Sequence, residues 1–150
     1  MALAVAEAHR VLRPGGLLLD IHPAGAPMRL EVWYRRRDRP DTSQDDQAAY
    51  DRVPLGPFEP DETIDDFTAS TGAIAAAAGQ GFTGLETLPF DYCYVFDSLD
   101  ELTDYLKEND ELDLASDALL ERALLALRDA TTPARLAVAQ PVLASRLQKA

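Results

Sequence analysis

The start of the chain combines a helical pattern with an extended one. From Ala2 to Leu12, residues that favour helices place their apolar side chains on one face, which predicts a helix. The apolar run Leu17–Ile21 predicts a strand, and its near-continuous character is typical of a strand covered on both faces, as in a parallel sheet. Pro14, Gly15 and Gly16 predict a tight turn between them, because proline ends the helix and glycine permits a positive φ.

Two shorter extended stretches follow. Leu30–Tyr34 alternates apolar and polar residues and is rich in β-forming types, and Tyr50–Leu55 has a similar character. Together they can form an antiparallel hairpin. The connecting segment Arg39–Gln47 is polar and contains Pro40, so we expect an exposed loop there.

The middle of the chain predicts a long helix and a long strand. Asp61 is expected to cap the helix, whose apolar residues repeat at helical spacing until Gly79–Gly81 ends it. Phe82–Phe96 is rich in threonine, aromatic residues and valine, which predicts a strand with Pro89 as a kink or an edge site.

The last third carries two capping signals and a final strand. Ser98 and Glu101 form a capping box, which predicts a helix after them. Ser116 is expected to cap a second helix, whose inward-facing residues are Leu119, Leu120, Ala123, Leu124 and Leu127. Arg135–Leu147 predicts the last strand, with a bulge at Pro141 because proline supplies no N–H to a sheet.

Composition and charge limit the classes of partner. The 150 residues are 47% hydrophobic, enough for one packed domain, and their net charge of -12 argues against binding of nucleic-acid phosphates. The cluster Arg35–Arg39 is the main basic run; it can bind an anionic group or be a solvated strand end. Cys93 has no second cysteine to pair with, which favours a reducing, cytoplasmic compartment. We expect neither a membrane span nor a signal peptide.

The segment Glu7–Ile21, and within it the string Arg10-Val-Leu-Arg-Pro-Gly-Gly16, carries the most specific pattern. It resembles the helix-turn-strand that opens the C-terminal half of class I S-adenosylmethionine-dependent methyltransferases. The resemblance implies an α/β fold: a partial Rossmann-like methyltransferase sheet, with a parallel strand plus antiparallel C-terminal strands and packed helices. It covers nearly the whole chain, 1–150, as a single methyltransferase-like C-terminal domain.

The cofactor loop of that family has no counterpart in this sequence. In the family S-adenosylmethionine is held mainly by the N-terminal half, and no Gly-x-Gly-x-Gly occurs here after an N-terminal strand. S-adenosyl-L-methionine is therefore implied by the resemblance, but we expect no cofactor on this chain alone and assign no cofactor-binding residue.

Four side chains are candidate substrate contacts. Open α/β sheets bind ligands beyond the carboxyl ends of their parallel strands, and the resemblance places Asp20 and His22 there. His22 can act as a general base, or it can hydrogen-bond its own loop. Tyr92 and Tyr94 share one strand face and can line a pocket, or they can be packing residues. Two distant histidines and one cysteine make no zinc site.

Two functions follow from this pattern. In the first, the chain is a truncated or remnant methyltransferase without catalysis of its own, acting as a binding or assembly module. In the second, it is an active methyltransferase on an unknown small molecule, with the cofactor half supplied upstream or by another chain. We expect a homodimer, because the strand Leu17–Ile21 would otherwise lack a neighbour on one edge. The dimer would join through that edge or exchange the N-terminal helix, unless the hairpin Leu30–Leu55 covers the edge.

Overall fold

The computed structural model describes residues 2–39, 47–77 and 79–150. Helices and strands are interspersed along these ranges. In chain order the elements are α1 (Ala2–Val11), β1 (Leu17–Pro23), β2 (Arg29–Arg35), β3 (Tyr50–Pro57), α2 (Thr63–Ala77), β4 (Phe82–Phe96), α3 (Leu99–Glu108), α4 (Asp117–Arg128) and β5 (Ala134–Lys149). The predicted helices and strands are thus confirmed, whereas most of the expected loop Arg39–Gln47 lies outside the described residues.

The strands form one five-stranded sheet in the order β1-β5-β2-β3, and β4 also pairs with β5. The pairings of β1 and β2 with β5, and of β2 with β3, are antiparallel. Thr83 hydrogen-bonds the Gln148 carbonyl and Thr87 bonds Ser145, so β4 also runs opposite to β5. The predicted α/β fold with a parallel, Rossmann-like sheet is therefore wrong. The apolar run Leu17–Ile21 favours a parallel strand, but the direction of a strand depends on its partner strand, and β1 pairs with the distant strand β5.

The chain divides into two compact units. The first unit comprises Met1–Ala26, Asp61–Tyr92 and Pro141–Ala150, and the second unit comprises Pro27–Pro60 and Cys93–Gln140. Strands β4 and β5 each contribute residues to both units.

In the first unit, α1 joins β1 through the predicted turn. Gly15 adopts a φ of 76°, and its N–H donates to the Lys149 carbonyl at 2.9 Å. The Lys149 ammonium group donates to the carbonyls of His9 and Leu12 at 2.7 and 2.8 Å. These carbonyls lack helical partners, so the cation both satisfies them and faces the negative end of the helix.

Strand β1 is covered on one face only. Its exposed and covered residues alternate, with Leu17, Leu19 and Ile21 exposed and His22 buried. Leu18 packs on the opposite side against the cluster Val5, Ile74, Ala77, Phe82 and Leu147. The expectation of a strand covered on both faces is therefore wrong, because leucines occupy both faces and hide the alternation.

The second unit contains the predicted hairpin, whose strands β2 and β3 pair with a bulge between Leu30 and Glu31. Leu30 and Val32 pack into a core formed with α3, α4 and β5, whose other buried members are Phe58, Leu102, Leu106, Ala115, Leu119, Ala123, Leu136 and Val138. On the other side, Trp33 packs with Ala49, Tyr50 and Ala137. Residues of β2 are therefore buried on both faces of the sheet, and the aromatic rings of Trp33 and Tyr50 contribute to the packing on the second face.

The predicted helix caps are present. Asp61 accepts the Thr63 N–H at 2.8 Å, and Ser116 accepts that of Leu119 at 3.3 Å. Ser98 accepts the Glu101 N–H, while the Glu101 carboxylate accepts the Asp97 N–H at 2.8 Å. The prediction that Leu124 faces inward is wrong, because this side chain is 52% exposed.

Pro141 lies where β5 changes partners. Residues 134–139 of β5 pair with β2, and residues 142–148 pair with β1. Neither register includes Pro141, so its missing N–H removes no hydrogen bond from these two ladders. The Pro141 carbonyl accepts the Ala24 N–H at 2.8 Å. The proline is accommodated by this change of partner, where we expected a bulge.

Candidate functional site

The predicted residues Asp20 and His22 meet in the first unit. Both lie within β1, which continues through Pro23, so His22 is part of the strand and does not follow it. Two residues apart on a strand, they share a face. His22 Nδ1 is 2.5 Å from Asp20 Oδ2, and His22 Nε2 is 2.9 Å from the hydroxyl of Thr71 on α2. The polar cluster thus joins one strand to one helix.

The hydrogens of this cluster allow two arrangements. The Asp20 carboxylate accepts, so His22 Nδ1 donates. The Thr71 hydroxyl either donates to His22 Nε2 or donates to the Phe67 carbonyl, 3.2 Å away. In the second case the Thr71 hydroxyl oxygen accepts a hydrogen bond from His22 Nε2. In either case both ring nitrogens have partners.

Burial limits what His22 can do. The residue is 6% exposed, and its ring contacts Asp20 of β1 and Thr71 of α2. A general base must lie within hydrogen-bond distance of the group whose proton it accepts. His22 would have to release Thr71 before its Nε2 could accept a substrate proton. The geometry therefore fits the role of a clamp that fastens α2 to β1.

The two candidate tyrosines fall in different units. Tyr92 belongs to the first unit and is 54% exposed, while Tyr94 belongs to the second unit and is 38% exposed. The Tyr94 ring lies 5.0 Å from the Tyr105 ring, centroid to centroid, which fits aromatic packing. Their role as substrate contacts stays a prediction.

The first unit also has a concave surface on the side of β1 away from α2. We call it the apolar groove: its walls are Leu19 and Ile21 of β1 and Leu88 of β4, and its floor is Ala144 of β5. Its volume is about 310 Å³. Glu86 and Arg146 also line the groove, with Arg146 Nη1 3.6 Å from Glu86 Oε2. Asp20, Thr87 and Ser145 line it as well. Its large exposed side chains, Leu19, Ile21 and Leu88, suit an apolar contact.

A buried acid in the second unit was missed by the sequence analysis. Glu31 is 4% exposed and accepts hydrogen bonds from Trp33 Nε1 and Arg52 Nε, each at 2.9 Å. The Arg52 guanidinium also lies 5.0 Å from the centroid of the Trp33 ring. The available signal was a glutamate inside the apolar run Leu30–Tyr34, two residues before a tryptophan. The donors to Glu31 are side chains of β2 and β3, so the cluster links the two strands of the hairpin.

Of the basic cluster Arg35–Arg39, residues 35–38 border a cavity of about 440 Å³ in the second unit, together with Asp51 and Thr131. Arg36 donates to Asp38 at 2.9 and 3.1 Å, and this guanidinium lowers the pKa of the Asp38 carboxyl. Arg35 donates to the Tyr50 hydroxyl at 3.3 Å. Part of the positive charge is therefore already paired, which weakens the case for an anion site.

The described residues 2–39, 47–77 and 79–150 contain no group of three or more side chains arranged to hold a metal ion. Cys93 is half-buried, and its sulfur lies 3.8 Å from an Arg52 nitrogen. No helix within these ranges is long and apolar enough to cross a membrane. No protein-family model, curated protein or solved structure matches this chain.

Proposed function

We propose that this chain is a methyltransferase-like assembly module that performs no methyl transfer as an isolated chain. The resemblance rests on the string Arg10–Gly16, which comprises the end of α1 and the turn that leads to β1. The observation that carries the assembly role is β1 itself. This strand ends the strand order, so no described strand pairs with its outer edge, and it exposes Leu17, Leu19 and Ile21. Edges and apolar surfaces of this kind invite a second chain.

The proposal assigns no S-adenosylmethionine site to this chain. Its sequence lacks the glycine-rich loop whose backbone must approach the cofactor closely. The strongest candidate base, His22, has both ring nitrogens engaged by Asp20 and Thr71. We expect a cytoplasmic homodimer, since the sequence contains a single cysteine, Cys93, and β1 has an open edge.

Titration calorimetry with S-adenosylhomocysteine tests the absence of catalysis. We expect no heat of binding from the isolated chain, because its sequence lacks the glycine-rich loop whose backbone approaches the cofactor closely. An intact class I methyltransferase in the same buffer serves as the positive control. Binding in the low micromolar range or tighter would overturn the proposal.

The alternative function is an active S-adenosylmethionine-dependent methyltransferase on an unknown small molecule, completed by a cofactor half from upstream sequence or another chain. The open edge of β1 favours it, since a strand from such a half could pair there. The DNA upstream of Met1 provides the test. An in-frame glycine-rich strand-turn-helix, with S-adenosylhomocysteine binding by the extended protein only, would establish the alternative.

A further inference from the structure

The apolar groove belongs to a larger exposed face of the first unit. Leu17, Leu19 and Ile21 alternate along β1, and Leu88, Phe90 and Tyr92 alternate along β4, so each set points to one side of its strand. The exposed fractions are 68% for Leu19, 69% for Ile21 and 65% for Leu88. Large apolar side chains gathered on one face mark an interaction surface more strongly than scattered ones.

The shape of this face, with two ridges and a groove between them, allows two copies of the face to fit together. Ile21 pairs with Ala144 across the β1–β5 ladder, and the Thr87–Ser145 hydrogen bond places Leu88 beside Ala144 on the other side. A small residue thus separates two ridges of large ones. When two such faces meet, the ridge of each can enter the groove of the other, as side chains do between stacked sheets about 10 Å apart.

The charges of the face also favour a second copy. Glu86 and Arg146 form an ion pair, and the Asp20 carboxylate, which also lines the groove, lies 2.5 Å from His22 Nδ1. A charged partner would therefore find each of these charged groups already engaged by a neighbour. The whole chain carries a net charge of -12, so two copies repel each other over most of their surface. They approach at least cost through an apolar face whose charged groups are paired.

We propose that two copies of this chain pack their apolar grooves against each other about a two-fold axis. This inference rests on the assembly role proposed for the chain and names its partner and its surface. The two-fold axis sets the Leu19–Ile21 ridge of each copy into the groove of the other, and it brings Glu86 and Arg146 of one copy near those of its mate. Such an isologous contact closes at two copies.

Light scattering on a size-exclusion column, followed by sedimentation equilibrium, tests the contact. We expect the unchanged protein to have twice the 16.4 kDa mass of one chain. The double variant Leu19→Lys and Leu88→Lys should raise the dissociation constant at least about tenfold, because it introduces cations into an apolar contact. Both substitutions reduce the net negative charge of the chain, so a stronger overall repulsion between acidic copies cannot cause the loss.

Val53→Lys is the matched control. Val53 is an exposed valine of β3 in the second unit, 43% exposed, and its substitution makes the same type of charge change. It should leave the dissociation constant within about twofold of the original. All variants should keep the original thermal midpoint when diluted to monomer, since the changed positions are exposed. Raising the salt concentration should strengthen the dimer by screening the repulsion between acidic copies.

Three results would overturn the inference. A monomer at micromolar concentration would exclude a second copy as the occupant. A dimer unaffected by the double lysine variant would indicate pairing through the β1 backbone edge or exchange of α1. A dimer broken by Val53→Lys would place the contact in the second unit. None of these results depends on cofactor binding. Whether the chain lacks its own methyl-donor site is decided separately, by the titration with S-adenosylhomocysteine.

Discussion

Strands β1 and β2 show how differently the two units use apolar residues. The run Leu17–Ile21 is the more apolar in sequence, yet three of its side chains are exposed. Four consecutive residues of β2, Leu30–Trp33, are buried, although one of them is Glu31. Strand β2 lies between β3 and β5 and is covered on both faces, whereas β1 ends the strand order. Position in the sheet decides burial more than composition does.

The comparison separates apolar residues that are buried in the fold from apolar residues that stay exposed, and the second group forms the surface that we propose as an interface. In the second unit an acid is tolerated inside because Arg52 and Trp33 satisfy it. In the first unit leucines remain outside although burial would be favourable. An exposed apolar surface of this kind has a cost in solubility, which the proposed contact between two copies would remove.

The sharpest test of this contrast compares two leucines. Leu30→Ala in the second unit should lower the free energy of unfolding by about 2–5 kcal/mol, because the fully buried side chain leaves a cavity. Leu19→Ala in the first unit should change it by less than about 0.5 kcal/mol. Both are measured by chemical denaturation at a concentration where the protein is monomeric. Similar losses for the two variants would mean that Leu19 is buried within one chain.

A second test compares two glutamates. Glu31→Ala should cost about 1–3 kcal/mol, because the buried Trp33 N–H loses its acceptor. Arg52 is 31% exposed on its side chain and keeps contact with water, so the loss stays below that of a fully buried pair. Glu86→Ala removes an exposed ion pair with Arg146 and should cost less than about 1 kcal/mol. Denaturation at neutral pH ranks them, and a larger loss for Glu86 would contradict the contrast.

The smallest expected effect concerns the clamp between β1 and α2. Thr71→Val removes the hydroxyl near His22 Nε2 and should cost about 1 kcal/mol. Thr68→Val is the control, since its hydroxyl bonds only the Ile64 carbonyl within the same helix. Nitrogen NMR of the histidine rings should show a shift for His22 in the first variant only. An unchanged His22 signal in Thr71→Val would show that the clamp does not form.

Part of the candidate site was accessible from sequence. Asp20 and His22 share a strand face because they lie two residues apart, and this spacing alone brings them together. Thr71 was not predictable as their partner, since α2 reaches β1 only through tertiary packing. Glu31 was likewise overlooked, because its partner Arg52 is set by the register of the hairpin.

The sequence by itself determined the local elements. Prolines, glycines and capping side chains act on their immediate neighbours, so the turn at Pro14–Gly16, the capping box at Ser98 and the hairpin strands follow from nearby residues. Only the tertiary structure decided the direction of β1 and the face that it exposes. Both depend on pairing Leu17 with Gln148, at opposite ends of the chain, and local chemistry carries no information about so distant a partner.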